Sequence, residues 1–177
     1  DPGFIVDKKE DLLGIILTHA HEDHIGAIAH LWPQLKCKIF ATPFTAVLIK
    51  EKFKEKNIDV TKFLKIVQLN GTVNLDPFKI EYITLTHSIL EPNGLRIETP
   101  AGVILHTGDW KIDPEPLIGE KINSDRLKEI GNEGEGDDEY TYIVLDFESR
   151  IRVLPFLVKF NQLELVHFGC KDNDGDV

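Results

Sequence analysis

The chain has 177 residues, 42% of them hydrophobic, which is room for one domain with a real core, with space for the start of a second. Its formal charge of −10 excludes broad, non-specific nucleic-acid binding by the whole surface, but not a nucleic-acid enzyme whose carboxylates serve a cation site. No apolar run approaches the ~18 residues of a membrane span, and no stretch has the pattern of a signal peptide.

Residues 1–11 are polar and read as irregular, with Pro2-Gly3 as a turn. Leu12 to Thr18 is nearly all apolar, which predicts a strand covered on both faces. Ile25 to Leu35 predicts a short helix that Pro33 stops or kinks, and Lys36 to Thr42 an alternating strand. Pro43 suits the first turn of a helix continuing from Phe44 to Lys56, with Val47, Leu48 and Phe53 as its apolar positions. The lysines and glutamates between them predict a solvated face with i,i+4 ion pairs, the alternative being a basic edge that touches a polyanion. Phe63 to Leu69 reads as a strand, Asn70-Gly71 as a turn and Phe78 to Leu85 as a further strand.

Leu95 to Glu98 and Val103 to Thr107 form a predicted hairpin about Pro100-Ala101-Gly102. Ser124 is placed to cap a helix over Asp125 to Ile130, followed by an acidic, Gly-rich loop over 131–139. Tyr142 to Asp146 is the last clear strand, with weaker signals at 153–158 and 163–168 and a polar end at 171–177. The sequence Asp172-Asn173-Asp174-Gly175 lacks the spacing and closing Glu of a calcium loop. Strands alternating with helices favour α/β architecture. The start at Asp1 and the lack of any Met lead us to expect a fragment. Cys37 and Cys170 form no metal-type pair and read as reduced thiols of a cytosolic protein, with a disulfide as the alternative.

The chemistry gathers at Thr18-His19-Ala20-His21-Glu22-Asp23-His24, directly after the first predicted strand. Alternate residues His19 and His21 can point the same way from an extended backbone, while Asp23 and His24 can turn to a second position. Two later strand ends deliver further metal-type donors, His87 and Asp109, and strand-end loops are where α/β proteins place their sites. His19, His21 and His87 could hold one cation through nitrogen, Asp23 and His24 a second, with Asp109 bridging the two. Cations ~3.5–4 Å apart would share a hydroxide formed from a water whose pKa falls towards ~7. Zinc suits the imidazole-rich set, with manganese as the alternative at the oxygen-rich position.

These residues carry a resemblance. The spacing His19-x-His21-x-Asp23-His24, then His87, then Asp109, resembles the metallo-β-lactamase superfamily. Within it, His87-Ser88-Ile89, Gly94 to Pro100 and His106-Thr107-Gly108-Asp109-Trp110-Lys111-Ile112-Asp113-Pro114 are similar to the ribonuclease J family of β-CASP-type nucleases. The resemblance covers roughly Leu12 to Glu133. It implies an α/β fold, the αβ/βα sandwich of that superfamily, and hydrolysis of RNA phosphodiesters, 5′ to 3′ from a monophosphorylated end and internally. It implies RNA as partner, a cytoplasmic location, no membrane association and a homo-oligomer in the full-length protein. It also implies two divalent metals, His19, His21 and His87 on one, Asp23 and His24 on the other and Asp109 shared, with Asp23 and Asp109 catalytic. The match gives His106 a supporting role, with plain packing as the alternative, and sets Ser88 near the scissile phosphate, with a loop-capping hydroxyl as the alternative, while His30 and His167 match no motif and read as structural.

The chain departs from the family in three places. The family's first strands are mostly lacking ahead of the His cluster, Asp146-Phe147-Glu148-Ser149 stands where Asp-Ser-Thr-Asn is expected, and the β-CASP segment with its later His ligand is missing. The resulting expectation is an incomplete sandwich: a partial catalytic domain over 1–146 and a divergent tail over 147–177. Two other readings accompany it, a thioester or lactam hydrolase on the same fold and a non-enzymatic metal-binding relic.

Overall fold

A computed structural model describes residues 2–133, 142–145 and 156–158, the last two segments through their backbone. Two β-sheets face each other. The first contains β1 (Leu12–Ile16), β2 (Lys38–Ala41), β3 (Leu64–Ile66) and β9 (Phe156–Val158), in the order β3-β2-β1-β9. The second contains β4 (Thr72–Leu75), β5 (Phe78–Thr84), β6 (Asn93–Thr99), β7 (Gly102–His106) and β8 (Tyr142–Leu145), in chain order. β1, β2 and β3 run parallel, β9 runs antiparallel to β1, and the second sheet is antiparallel up to β7, which pairs in parallel with β8.

The uniform apolarity of β1 follows from its two covered faces. Ile15 and Leu17 pack into a core shared with α3 (Ile28–Leu35) and α4 (Pro43–Glu55), whereas Ile16 faces the second sheet. Leu12 joins the helix-side core because the register against β9 shifts between Leu12 and Gly14, and one extra residue reverses which face a side chain takes. The core between the sheets gathers Phe40 with Val73, Ile80, Tyr82, Leu95 and Ile97. Gly14 admits the Phe40 ring, since a Cβ there would lie 2.9 Å from it. The Tyr82 hydroxyl donates to the Phe40 carbonyl at 3.2 Å, so the fully buried phenol bonds across the two sheets. On the outer face of the second sheet lies α5 (Ser124–Glu133). Arg126 grips Glu81 of β5 through Nε at 2.7 Å and Nη2 at 2.9 Å, and Arg96 of β6 reaches Glu133 at 2.7 Å. The succession is helix, sheet, sheet, helix, the expected αβ/βα order.

Several local expectations are corrected. Residues 3–11 are ordered as α1 (Gly3–Val6) and a 3₁₀ turn (Lys9–Asp11), because Ile5 is buried against the helix-side core. The predicted helix from Ile25 divides into α2 (Glu22–Ile25) and α3, and α3 runs two residues past Pro33. Its last turn holds because Trp32 and Leu35 are buried, the Trp32 indole donates to the Cys37 carbonyl at 2.8 Å, and Lys36 takes the left-handed cap. In α4 the buried stripe is Ala46, Ile49 and Phe53 with Thr45, whereas Val47 is 56% exposed, off that stripe.

The charged face of α4 is solvated as expected, but its pairs differ. Lys54 meets Glu51 at i,i+3, 3.6 Å apart, and Lys52 reaches Glu22 of α2 at 2.6 Å. The predicted strand over 63–69 contracts to β3, and β4 enters unpredicted, paired with β5 across a turn at Asp76-Pro77. Asn123, not Ser124, caps α5, its Oδ1 accepting from the Arg126 amide at 3.2 Å, and that helix extends through Gly131 to Glu133. Cys37 is a buried free thiol. Cys170, His167, the Asp146 to Ser149 stretch, the rest of the loop expected over 131–139 and the strand signal at 163–168 lie outside the described residues. Among the described residues no helix is long and apolar enough to cross a membrane.

Candidate metal centre

Three strands of the sandwich deliver their C-terminal extensions to one place. Beyond β1 the ladder continues for one bond, Leu17 N–H to the Phe40 carbonyl at 3.0 Å, which carries Thr18 and His19 inward, so that His19 is fully buried. His21 then caps α2, its carbonyl accepting from the His24 and Ile25 amides at 3.0 Å each. Asp23 and His24 therefore sit on the first turn of a helix rather than on the expected loop, and Glu22 and Asp23 face its positive end. β5 leads through Leu85 and Thr86 to His87, and β7 leads through Thr107 and Gly108 to Asp109.

The donor atoms converge as two groups within 4.8 Å, His19, His21, His87 and Asp109 in one, Asp23, His24 and Asp109 in the other. His21 Nδ1 lies 3.1 Å from His19 Nε2 and 3.2 Å from His87 Nε2. Asp109 Oδ2 is 3.3 Å from His24 Nε2 and 4.0 Å from both His19 Nε2 and His87 Nε2, and Asp23 Oδ2 is 3.9 Å from His24 Nε2. A tetrahedral ion with bonds of about 2.0–2.1 Å spaces its ligands roughly 3.3 Å apart, so the nitrogen separations match those of ligands round one ion. A single His21 nitrogen facing two other ring nitrogens is poorly served by hydrogen bonding alone, since each proton satisfies one partner. The residues fit a divalent cation, and both groups could hold one.

The electrostatics favour neutral rings at His19 and His87. Burial, then the neighbouring His24, His21 and His87, lowers His19 to about 2, and burial with His21 lowers His87. The Thr18 hydroxyl at 3.1 Å engages His19 Nδ1, which leaves Nε2 to face the cluster. His106 stands outside both groups. It is buried, its Nδ1 accepts from the Gly108 amide at 3.0 Å, and burial lowers it to about 4. Its contact shapes the turn that presents Asp109.

A stability prediction follows from His19 and His106. Both stay neutral in the fold near pH 5, whereas the unfolded rings take protons below about 6.5, so stability is full above that value and falls as pH drops through the window down to the folded pKa values. Urea unfolding of the chelator-treated chain should show a loss of about 2 kcal/mol per ring between pH 7 and pH 5. A midpoint unchanged over that range would contradict the burial of these rings.

Ser88 is exposed, in a groove with His87, Trp110, Lys111 and Ile112. His30 is exposed on α3 and joins neither group. Two residues that the sequence did not single out hold the site together. Thr86 takes the Lys111 carbonyl through its hydroxyl and the Lys111 amide through its carbonyl (2.7 Å), which fastens the chain after Asp109 beside His87. Asn93, fully buried, donates from Nδ2 to the carbonyls of Thr18 at 2.9 Å and Glu91 at 2.7 Å. The only hint of Asn93 in the sequence is a polar residue between Pro92 and Gly94 at the head of an alternating strand.

Residues 4–142 match the family model described as the Metallo-beta-lactamase superfamily. Ribonuclease J of Sinorhizobium meliloti is 40% identical over 136 residues, which cover 76% of this chain and 24% of that protein. Ribonuclease J of Helicobacter pylori is 39% identical over 135 residues, 76% of this chain and 20% of that protein. Ribonuclease J of a Synechocystis species is 36% identical over 136 residues, 76% of this chain and 21% of that protein. The chain thus spans a quarter or less of the length of these relatives.

Proposed function

The chain belongs to the metallo-beta-lactamase superfamily, and on that premise we propose that it supplies the metal-holding part of a metal-dependent RNA hydrolase of the ribonuclease J type. The observation that carries the proposal is the convergence of His19, His21 and His87 with Asp109, which also belongs to the group of Asp23 and His24. The identity of 34–40% to proteins named Ribonuclease J supports RNA as the substrate class.

In this reading His19, His21, His87 and Asp109 hold one divalent ion, and Asp23, His24 and Asp109 the other. Zinc suits the imidazole-rich group, with manganese as the alternative. When bound, the ions supply Lewis acidity, acidifying a water and taking up charge that develops on a phosphodiester. The chain's own part is positional. Thr18 orients His19, and His106 shapes the turn of Gly108 that presents Asp109. Asp23, 35% exposed, is the carboxylate placed to take a proton at the open side, and Ser88 stands in the groove as a contact for substrate. We assign 1–146 to a partial catalytic domain and 147–177 to a divergent tail, of which residues 156–158 add a strand to that domain's first sheet. The buried free Cys37 suits a reducing, cytoplasmic setting. Action from the 5′ end as well as internally, and assembly of the longer protein into a homo-oligomer, complete the reading.

The test incubates the zinc- or manganese-loaded chain with 5′-monophosphorylated RNA, 5′-triphosphorylated RNA, a thioester and a lactam. Metal-stimulated RNA cleavage that a chelator abolishes is the expected result, faster on the monophosphorylated RNA. Turnover of the thioester or lactam with intact RNA would assign another hydrolase. Intact substrates throughout, with no metal retained, would leave a relic.

A further inference from the structure

Three segments must meet in one register for the two donor groups to form: Thr18 to His24, His87 with the turn after it, and Gly108-Asp109. They meet at Asn93. Its backbone amide and its Nδ2 both donate to the Thr18 carbonyl, at 3.1 and 2.9 Å, one residue before His19. Its second Nδ2 proton goes to the Glu91 carbonyl at 2.7 Å, in the turn that follows His87. Glu91 in turn spans to α4, its Oε2 accepting from the Phe44 amide at 2.8 Å. The third segment abuts Asn93 directly, because a Cβ on Gly108 would lie 2.5 Å from the Asn93 carbonyl oxygen. Two carbonyl acceptors fix which way the amide points, since the flipped amide would set its oxygen against both.

Resting on the metal-centre reading above, we propose that Asn93 is a positioning residue that sets the spacing of the two metal-holding groups, acting through the Thr18 carbonyl, the Glu91 turn and the Gly108 backbone. Asn93 belongs to neither donor group. An apolar side chain of the same volume takes the side-chain donor from the Glu91 carbonyl and leaves the Thr18 carbonyl with the backbone amide of residue 93 alone. Released, the chain on either side of Thr18 shifts relative to Asp109, and donor separations of 3.1–4.0 Å spread beyond the reach of one ion.

Zinc affinity by chelator competition and the d–d absorption of the cobalt-loaded chain test the proposal, in wild type, Asn93→Ala, Asn93→Ser and Ile80→Val. Ile80 is fully buried in the core between the sheets, and its truncation lowers stability without approaching the donors. Asn93→Ala should raise the zinc dissociation constant about 10–100-fold and shift and weaken the cobalt bands. Asn93→Ser, which keeps one donor, should show a smaller shift and covers the case in which the Ala variant does not fold. Ile80→Val should leave both readouts at wild type. Wild-type affinity and bands in the Asn93 variants overturn the proposal, as does an equal change in Ile80→Val. If wild type takes up neither zinc nor cobalt, the metal-centre reading falls and this proposal with it, whereas a wild type that binds beside unaffected Asn93 variants sinks the proposal alone.

Discussion

Replacing Asp109 with Ala should empty one candidate metal position and weaken the other, whereas His24→Ala should empty one and spare the other. Asp109 alone is common to the two donor groups, and its Oδ2 lies within 4.0 Å of His19, His24 and His87. A carboxylate is the one ligand here with two oxygens to share, and without it the second group is reduced to Asp23 and His24, too few to exclude solvent from an ion. Metal analysis of chain dialysed from excess zinc should give two equivalents for wild type, about one for His24→Ala and less than one for Asp109→Ala. Several kcal/mol of stabilisation leave with the metals, so RNA cleavage should fall about 10³-fold or more in Asp109→Ala. Two equivalents retained by Asp109→Ala would refute its shared role, whatever its activity.

Gly108→Ala should be the most disruptive single methyl in the described fold. The residue sits at φ +61°, where a side chain is strained, and the added Cβ would stand 2.5 Å from the Asn93 backbone oxygen. That oxygen is backbone, so the contact is relieved only by moving a strand end. A loss of about 2–4 kcal/mol in urea unfolding is expected, the sum of a strained dihedral and a displaced turn. Asp109 follows immediately, so zinc affinity should fall with it. Gly131→Ala is the contrasting case. It lies within α5 with nothing within 4 Å of the added methyl, and Ala there should stabilise by about 0.5–1 kcal/mol. A Gly108→Ala variant as stable as Gly131→Ala would show that the turn tolerates a side chain.

Some of this architecture was readable along the chain, and the reason is local in each case. β1 could be identified because two cores cover it, one on each face, and no polar residue interrupts the run. The donors were visible because their chemistry is unusual and each follows an apolar strand. What stayed hidden depends on partners far away in sequence. Arg126 pairs with Glu81 across 45 residues, and Asn93 bonds Thr18 across 75. Ile5 looked like part of a polar lead-in until a core was present to receive it. Val47 and Ile49 are equally apolar, and only the position of the sheet decides which of them is buried. The start of α2 inside the histidine cluster was missed for a different reason: His21 caps it with its carbonyl, without a side-chain capping bond.

The pairing of β1 with β9 sets an order of events during synthesis. Ile15 lies opposite Phe156, so the strand that leads into the histidine cluster gains its second neighbour about 140 residues after it is made. At about 5–20 residues per second that interval is roughly 7–30 s. Among the described residues, β2 is the neighbour β1 has over that interval, and the edge that β9 later covers is the exposed one. Among the described strands, the one that leads into His19 therefore waits longest between its own synthesis and that of its second neighbour.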